Sequence, residues 1–481
     1  MKRPAIVFAV LCAAVLIARL SHAGIVWVEE AYPAAAALQL LHGKTIYRDF
    51  WFDKPPLTAW LYLLWGAEDG FPLRVAGAVF VALCCWAAYR FASRIWSPRE
   101  GITAAVLLAF FLTFDFPAAV MALAPDFVTV LPHFIAVYLA WRRRAFWSGA
   151  VAGVAMLVNP KALLILAACA LWCWPRWLSL IAGFAAVNGI GIVWLAATGS
   201  LDAYYRQVWE WGRIYSRDTF VDRPMTEGVR RTLSWMWFHA TIVAAAGWYA
   251  WCERTSERLR FALWVAISFA GVVLGQRFFP RYYFLLLPAV LIPAARGLCV
   301  ANRRVRTAML LLLAVPLIRF GPRYATFAYD GIARRETNWS DIAMNRDSQS
   351  AAAIVKRAAQ PGDTLLVWGY RPDIFVYTRM AAGTPFLDSQ PLTGVIADRH
   401  LTQSRASAPE LAAANRAQLL RYRPTFIVDG LGPYNPALAI SSYRDLADWL
   451  SAYEVLDRTP QSVIYRLTGR SSTPAASPGT P

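Results

Sequence analysis

A chain of 481 residues that is 58% hydrophobic and 14% aromatic, with 22 tryptophans and only 16% charged residues, carries too much apolar surface for a soluble protein of this size. Its formal charge of +18 comes from arginines and lysines interleaved with apolar runs. The positive-inside rule produces that distribution, which excludes a single basic face for nucleic acid. Composition predicts a polytopic membrane protein whose first partner is the lipid bilayer.

Apolar runs of about 20 residues, the length that crosses the hydrocarbon core, can be followed by parity. Lys2 and Arg3 precede the first span, and Arg90, Arg94 and Arg99 follow the second. Arg142, Arg143 and Arg144 follow the fourth, and Trp174-Pro175-Arg176 the sixth. The eighth ends on Cys252-Glu253-Arg254 with Arg258 and Arg260, the tenth on Arg296 with Arg303, Arg304 and Arg306 beyond it. Each even span thus ends on a basic loop, and an eleventh, over about 307–321, carries the chain outward. The expectation is a membrane domain over 1–322 with about eleven transmembrane helices and a cytoplasmic N-terminus. Lys2-Arg3, the apolar stretch and Ser21-His22-Ala23 also fit a cleavable secretory leader. Retention is favoured, because cleavage leaves Glu29 and Glu30 on a loose new terminus.

Residues 1–322 hold sixteen Asp and Glu, of which only Glu100, Glu253 and Glu257 fall on the basic side. Two readings stand: the outer face carries the chemistry, or the acids fall where loops are long, since they have little topological weight. The richest outer stretch comes first, Val28-Glu29-Glu30-Ala31-Tyr32 and then Tyr47 to Leu57, which contains Asp49, Asp53 and Lys54-Pro55-Pro56. Partial desolvation at a membrane edge can raise a carboxylate's pKa toward the range useful for a general base, which makes Glu29 and Glu30 candidate bases. Their other reading is a solvated loop pair. Lys54, ahead of two stiffening prolines, is either a cation for a phosphate at headgroup level or an interfacial anchor. Further polar breaks occur at Asp126, at Asn159-Pro160-Lys161 and at Gln276 to Tyr283. Pro160 and Lys161 interrupting an apolar run are expensive unless they face a cavity. Arg277 and Arg281 fit lipid phosphate in general, and Tyr282 and Tyr283 fit an aromatic belt.

Beyond 322 the apolar runs shorten to strand length at Thr364–Trp368, Thr425–Val428 and Ser462–Tyr465, with helical patterns at Ser350–Ala359, Pro409–Arg421 and Tyr443–Ala452. That alternation predicts a small α/β domain over 323–468 on the extracytoplasmic side, followed by a disordered Ser/Thr/Pro tail at 469–481. Seven cysteines, none in this domain, imply no disulfide framework, and five scattered histidines show no metal-ligand spacing. No metal site is assigned, although a divalent cation held by carboxylates stays open. The absence of Walker and dinucleotide glycine motifs leaves ATP-driven and NAD-dependent activities without support.

Glu29-Glu30, then Gly43-Lys44-Thr45-Ile46-Tyr47-Arg48-Asp49 and Lys54-Pro55-Pro56-Leu57, resemble the first outer loop of the GT-C membrane glycosyltransferases. The similarity is to the protein O-mannosyltransferases and the lipid A aminoarabinose transferases. It extends over roughly residues 5–300, through Pro72-Leu73-Arg74, Pro125-Asp126, Asn159-Pro160-Lys161 and Arg281 to Pro288. The resemblance implies transfer of a sugar, hexose or pentose, from a polyprenyl-phosphate carrier to a lipid, glycan or protein acceptor on the outer face of a bacterial-type inner membrane, with inversion. It makes Glu29 the catalytic carboxylate, Glu30 its acidic neighbour and Asp126 the second outer-loop acid. Lys54, Lys161, Arg281 and Tyr283 take the carrier-phosphate positions. Glu stands at 29 where the family usually has Asp, one methylene longer, so the base is Glu29, Glu30 or Asp126. The competing classes are a transporter or flippase of a lipid-linked substrate, against which no inverted repeat of broken helices is seen, and a non-catalytic membrane scaffold.

Overall fold

The computed structural model describes residues 2–219, 221–333, 335 and 339–469, without the side chains of 2–4. From 470 onward the expected tail lies outside the described residues. The chain forms two compact units, Met1–Pro33 with Phe52–Asn338 and Ala34–Trp51 with Trp339–Pro481. Residues 34–51 thus group with the C-terminal part of the chain.

The first unit is helical. In chain order its helices begin with α1 (Lys2–Leu20), α2 (Val28–Leu41, divided between the units after Pro33), α3 (Leu57–Leu63), α4 (Gly70–Ile95) and α5 (Pro98–Phe111). There follow α6 (Pro117–Val120), α7 (Pro125–Val128), α8 (Val130–Trp141), α9 (Ala145–Met156), α10 (Ala162–Cys173) and α11 (Trp177–Ala197). Among the described residues three helical stretches are long and apolar enough to cross a membrane, α4, α11 and Arg303–Ala333, and six shorter apolar helices accompany them. Fewer than the expected eleven reach that length because α9, α10 and the helix Leu287–Val300 hold 12, 12 and 14 residues, short of the about 20 that cross the hydrocarbon core; the 3-10 segment Pro280–Leu285 precedes the last of them.

Local signals explain particular boundaries. α5 opens on Ser97, whose Oγ accepts the Arg99 N–H at 3.2 Å, with Pro98 at the first position and Glu100 in the first turn. α9 and α11 cross at glycines: a methyl at Gly149 would overlap the Leu180 carbonyl oxygen, and one at Gly183 the Phe146 carbonyl oxygen. Small residues of this kind let backbones approach where lipid offers no hydrophobic drive for association. The three acids on the basic side are all engaged. Arg296 bridges Glu100 at 2.7 Å and Glu253 at 2.6 Å, while Glu257 receives Trp172 Nε1 at 2.9 Å and pairs with Arg260.

The second unit is the α/β domain. Its five-stranded sheet has the order β2-β1-β3-β5-β4, with β1 (Thr364–Trp368), β2 (Ala381–Ala382), β3 (Phe426–Asp429), β4 (Tyr453–Thr459) and β5 (Ser462–Leu467). β1 runs parallel to β2 and β3, and β3–β5 and β4–β5 are antiparallel, so the three predicted strands form its centre. Leu366, Trp368, Ile427, Leu431 and Trp449 build its core, with Trp51 packed on it. The expected helix at 443–452 is instead a 3-10 turn, Arg444–Leu446, and one short helix, Ala447–Leu450. Residues 34–51 cover the β2 edge. Gln39 Oε1 accepts the Ala382 N–H at 2.7 Å, Lys44 Nζ donates to the Ala382 carbonyl, and the Trp51 N–H reaches the Pro385 carbonyl at 2.6 Å. A buried Arg371 holds the helix Ala343–Ala358 to the start of β5: it pairs with Asp347 at 3.0 Å, and Ser462 Oγ donates to the same carboxylate at 2.6 Å.

Candidate active site

Four polar stretches that interrupt or border apolar sequence meet inside the first unit. Buried Ile25, Val26 and Trp27 lead into α2, whose first turn carries Glu29 and Glu30. Consecutive helical residues point about 100° apart, so the two glutamates meet different surroundings. Glu29 Oε1 accepts from Arg281 Nη1 at 2.6 Å, both side chains being about a quarter exposed. Asp126, in the single turn α7, lies with Oδ2 3.7 Å from Arg281 Nε and Oδ1 3.6 Å from Lys161 Nζ. Asn159 Nδ2 donates to Asp126 Oδ1 at 2.9 Å, and Asn159 Oδ1 accepts the Lys161 N–H at 3.0 Å. One amide thus fixes both the acid and the turn that carries the lysine. Lys161 Nζ sits 3.1 Å from the Tyr282 ring centroid and has no hydrogen-bond partner among the described residues. Arg281 and Tyr282 come from the 3-10 segment Pro280–Leu285, which follows left-handed backbone at Gln276 and Phe278 (φ 52° and 49°). Arg277 Nη2 anchors that approach to the Tyr215 and Asp218 carbonyls at 2.5 and 2.6 Å.

Charges therefore alternate through the cluster: Glu29, Arg281, Asp126, Lys161. Lys161 stands in the turn outside α9 and α10. Burial lowers its pKa to about 8, with Asp126 pulling it back up and Arg281 pushing it down. Glu29 Oε2 has no protein donor among the described residues, so that carboxylate keeps free lone pairs in a partly open site. The arrangement can accept a proton at a carboxylate and place two cations against a developing anion.

The other expected residues lie differently. Glu30 is fully buried and receives four donors: Arg74 Nη2 at 2.5 Å, Arg74 Nη1 at 3.2 Å, the Trp27 N–H at 3.1 Å and the Leu123 N–H at 3.3 Å. Arg74 also donates to the carbonyls of Met121 and Ile25, and Arg19 to those of Met121 and Val120. Glu30 thus ties α2 to the segment that leads into Asp126. Lys54 pairs with Asp53 at 2.8 Å and lies 6.0 Å from the Tyr32 ring centroid. Its neighbours Leu57 and Thr58 bond the carbonyls of Leu157 and Val158, next to the Lys161 turn. Tyr283 points elsewhere, its hydroxyl 2.9 Å from Thr232 Oγ1 and its ring stacked on Trp235. Arg74 entered the sequence reading only within the Pro72-Leu73-Arg74 match, without a role, and an arginine inside the apolar run Gly70–Ile95 was the available signal for one. Among the described residues no three His, Cys, Asp or Glu side chains gather as metal ligands.

Helices of this kind joined to a small α/β unit make a GT-C-like fold. ArnT from Cupriavidus metallidurans bound to undecaprenyl phosphate matches over 97% of this chain and 98% of its own, with TM-score 0.65 and 14% identity, and its apo state over 96% and 98%, with TM-score 0.59 and 16% identity. In sequence, the undecaprenyl phosphate-α-4-amino-4-deoxy-L-arabinose arabinosyl transferase of Pseudomonas aeruginosa is 26% identical over 298 residues, 55% of this chain and 54% of that protein. The Pseudomonas paraeruginosa counterpart matches to the same extent. The chain spans about half the length of these curated relatives. No family model matches it.

Proposed function

We propose that the protein is an integral membrane glycosyltransferase that moves a sugar from a polyprenyl-phosphate carrier to an acceptor hydroxyl or amine on the extracytoplasmic face. The observation that carries this reading is the alternating cluster Glu29–Arg281–Asp126–Lys161 in a chain with the ArnT fold. In the proposed step Glu29 or Asp126 takes the acceptor proton and the acceptor attacks the anomeric carbon. The bond from that carbon to the phosphate oxygen breaks with inversion, and its electron pair leaves on the lipid phosphate. That phosphate goes from a singly charged diester toward a doubly charged monoester, and Lys161 and Arg281, with Lys54 at the rim, neutralise the added charge. The activated carrier supplies the free energy. Hexosyl or pentosyl transfer belongs to this reading, as do about eleven spans in an inner membrane, a membrane domain over 1–322 and an extracytoplasmic domain over 323–468.

The test is transfer of radiolabelled sugar from polyprenyl-phosphate donors in membranes bearing wild type, Glu29→Gln, Asp126→Asn or Lys54→Ala at matched expression. Loss of transfer in a carboxylate variant supports the reading and ranks the bases. Equal activity of all four proteins sinks the site assignment. Failure to consume any donor moves the transporter and scaffold readings ahead.

A further inference from the structure

The turns before α9 and α11 border an open surface cavity of about 320 Å³ lined by the exposed Arg143, Arg144, Arg176 and Ser179 together with Phe146 and Trp147. It lies at the far ends of α9 and α10 from Lys161, on the side that the charge pattern places in the cytoplasm. Arg143, with left-handed backbone (φ 58°), reaches across to the Trp172 and Trp174 carbonyls at 2.5 and 3.0 Å, and Arg176 Nη1 returns to the Arg143 carbonyl at 3.4 Å. Two loops are thereby knitted into one rim. Both helices that start there have an arginine at the N-cap and no side-chain cap bond, so their first N–H groups, which have no intrahelical acceptor, come without a capping oxygen. Guanidinium groups at the positive end of two helix dipoles are unfavourable until an anion joins them. No carboxylate does so: among the described residues none of these arginines has an acidic partner, the acids of this side being taken by Arg296 and Arg260. Topology alone requires positive charge somewhere in these loops, not its convergence on a cavity. The flanks are aromatic, with Trp147, Trp174 and Trp177 exposed and the last two stacked at 5.6 Å. Exposed tryptophan beside a basic cavity suits a ligand with a phosphate head and apolar tails.

We infer that this cavity binds the headgroup phosphate of an anionic phospholipid of the leaflet opposite the Glu29 cluster. Removing two guanidiniums weakens such binding about thirty-fold, the equivalent of about 1 kcal/mol for each basic residue near the lipid phosphate. The experiment titrates the purified full-length protein in detergent with fluorescent phosphatidylglycerol, phosphatidylcholine and inorganic phosphate. Lipid retention is also read by native mass spectrometry. Arg144→Gln/Arg176→Gln is expected to lose phosphatidylglycerol binding by that factor with an unchanged melting temperature, and Arg144→Lys/Arg176→Lys to keep most of it. Arg303→Gln/Arg304→Gln, which removes equal charge from exposed residues outside the cavity, is expected to bind like wild type. Equal weakening in both glutamine pairs overturns the site. Inorganic phosphate binding as tightly as the lipid overturns the lipid assignment.

Discussion

Two adjacent glutamates are expected to fail in opposite ways, and Glu30→Gln is the more informative change. Glu30 is fully buried, and two of its four donors come from one buried guanidinium. The amide leaves Arg74 without its carboxylate and presents an NH2 group to donors. Removing one partner of a buried pair costs about 3–5 kcal/mol, because the remaining charge stays desolvated. The loss is sharpened here by Arg19, a second buried arginine that shares Glu30 as its nearby acid. A fall in melting temperature on the order of 10 °C follows for a domain of moderate size. Glu30→Leu/Arg74→Leu is expected to recover part of that fall but not all, since the Trp27 and Leu123 N–H groups then lack an acceptor at about 1–3 kcal/mol each. Glu29→Gln removes one partly exposed contact to Arg281 and is expected to melt near wild type while losing sugar transfer. The assay is thermal unfolding of detergent-purified protein followed by size exclusion, with transfer measured on the same preparations. A Glu30→Gln protein that melts like wild type and transfers no sugar refutes the reasoning and makes Glu30 the base.

Asp126→Asn keeps the Asn159 contact and is expected to lower transfer by about 10²–10⁴, the range for a general base, with retained stability; residual activity near wild type would assign the base to Glu29 alone. Because burial brings Lys161 to about 8, its cation is present below that pH and lost above it, so transfer is expected to fall as pH rises through about 8. Lys161→Arg should move that limb upward, and an unmoved limb would remove Lys161 from phosphate neutralisation. In the second unit, burial raises the Asp347 carboxyl, but the Ser462 and Thr459 hydroxyls and Arg371 hold it below its ordinary value. Its contribution is therefore full above the unfolded pKa of about 3.9 and is lost as pH falls through the lower folded value. Wild type should lose more stability than Asp347→Asn on acidification, as followed by thermal unfolding.

The membrane class and the central strands were legible in the sequence because they depend on local pattern: apolar length, charge parity, and β-branched and apolar runs such as Thr364–Trp368. Residue patterns alone marked Glu29, Asp126, Lys161 and Arg281 as separate polar breaks, and only the family resemblance put them in one site. Ionisable groups in apolar surroundings are too costly to be scattered, and that rule needs no coordinates. Whether Glu29 or Glu30 faces the opening depends on the rotational phase of α2, which Arg74 sets from 44 residues away. Nothing in the local sequence carries that phase. Tyr283 fitted an aromatic belt and a carrier site equally well, and Thr232 and Trp235, which hold it, lie on a different helix. β2 escaped notice because two alanines have no strand signature; pairing with β1 makes them a strand.

The covering of β2 by Gln39 and Lys44 bears on biosynthesis. Gln39 and Ala382 are 343 residues apart, so the ribosome delivers one half of this junction long before the other. At about 5–20 residues per second the early segment waits roughly 17–70 s for its partner. A C-terminal fragment expressed alone never receives it and is left with an open β edge, the usual template for self-association. Soluble production of the α/β unit therefore calls for residues 34–51 grafted back onto it, not for a cut at the last apolar helix.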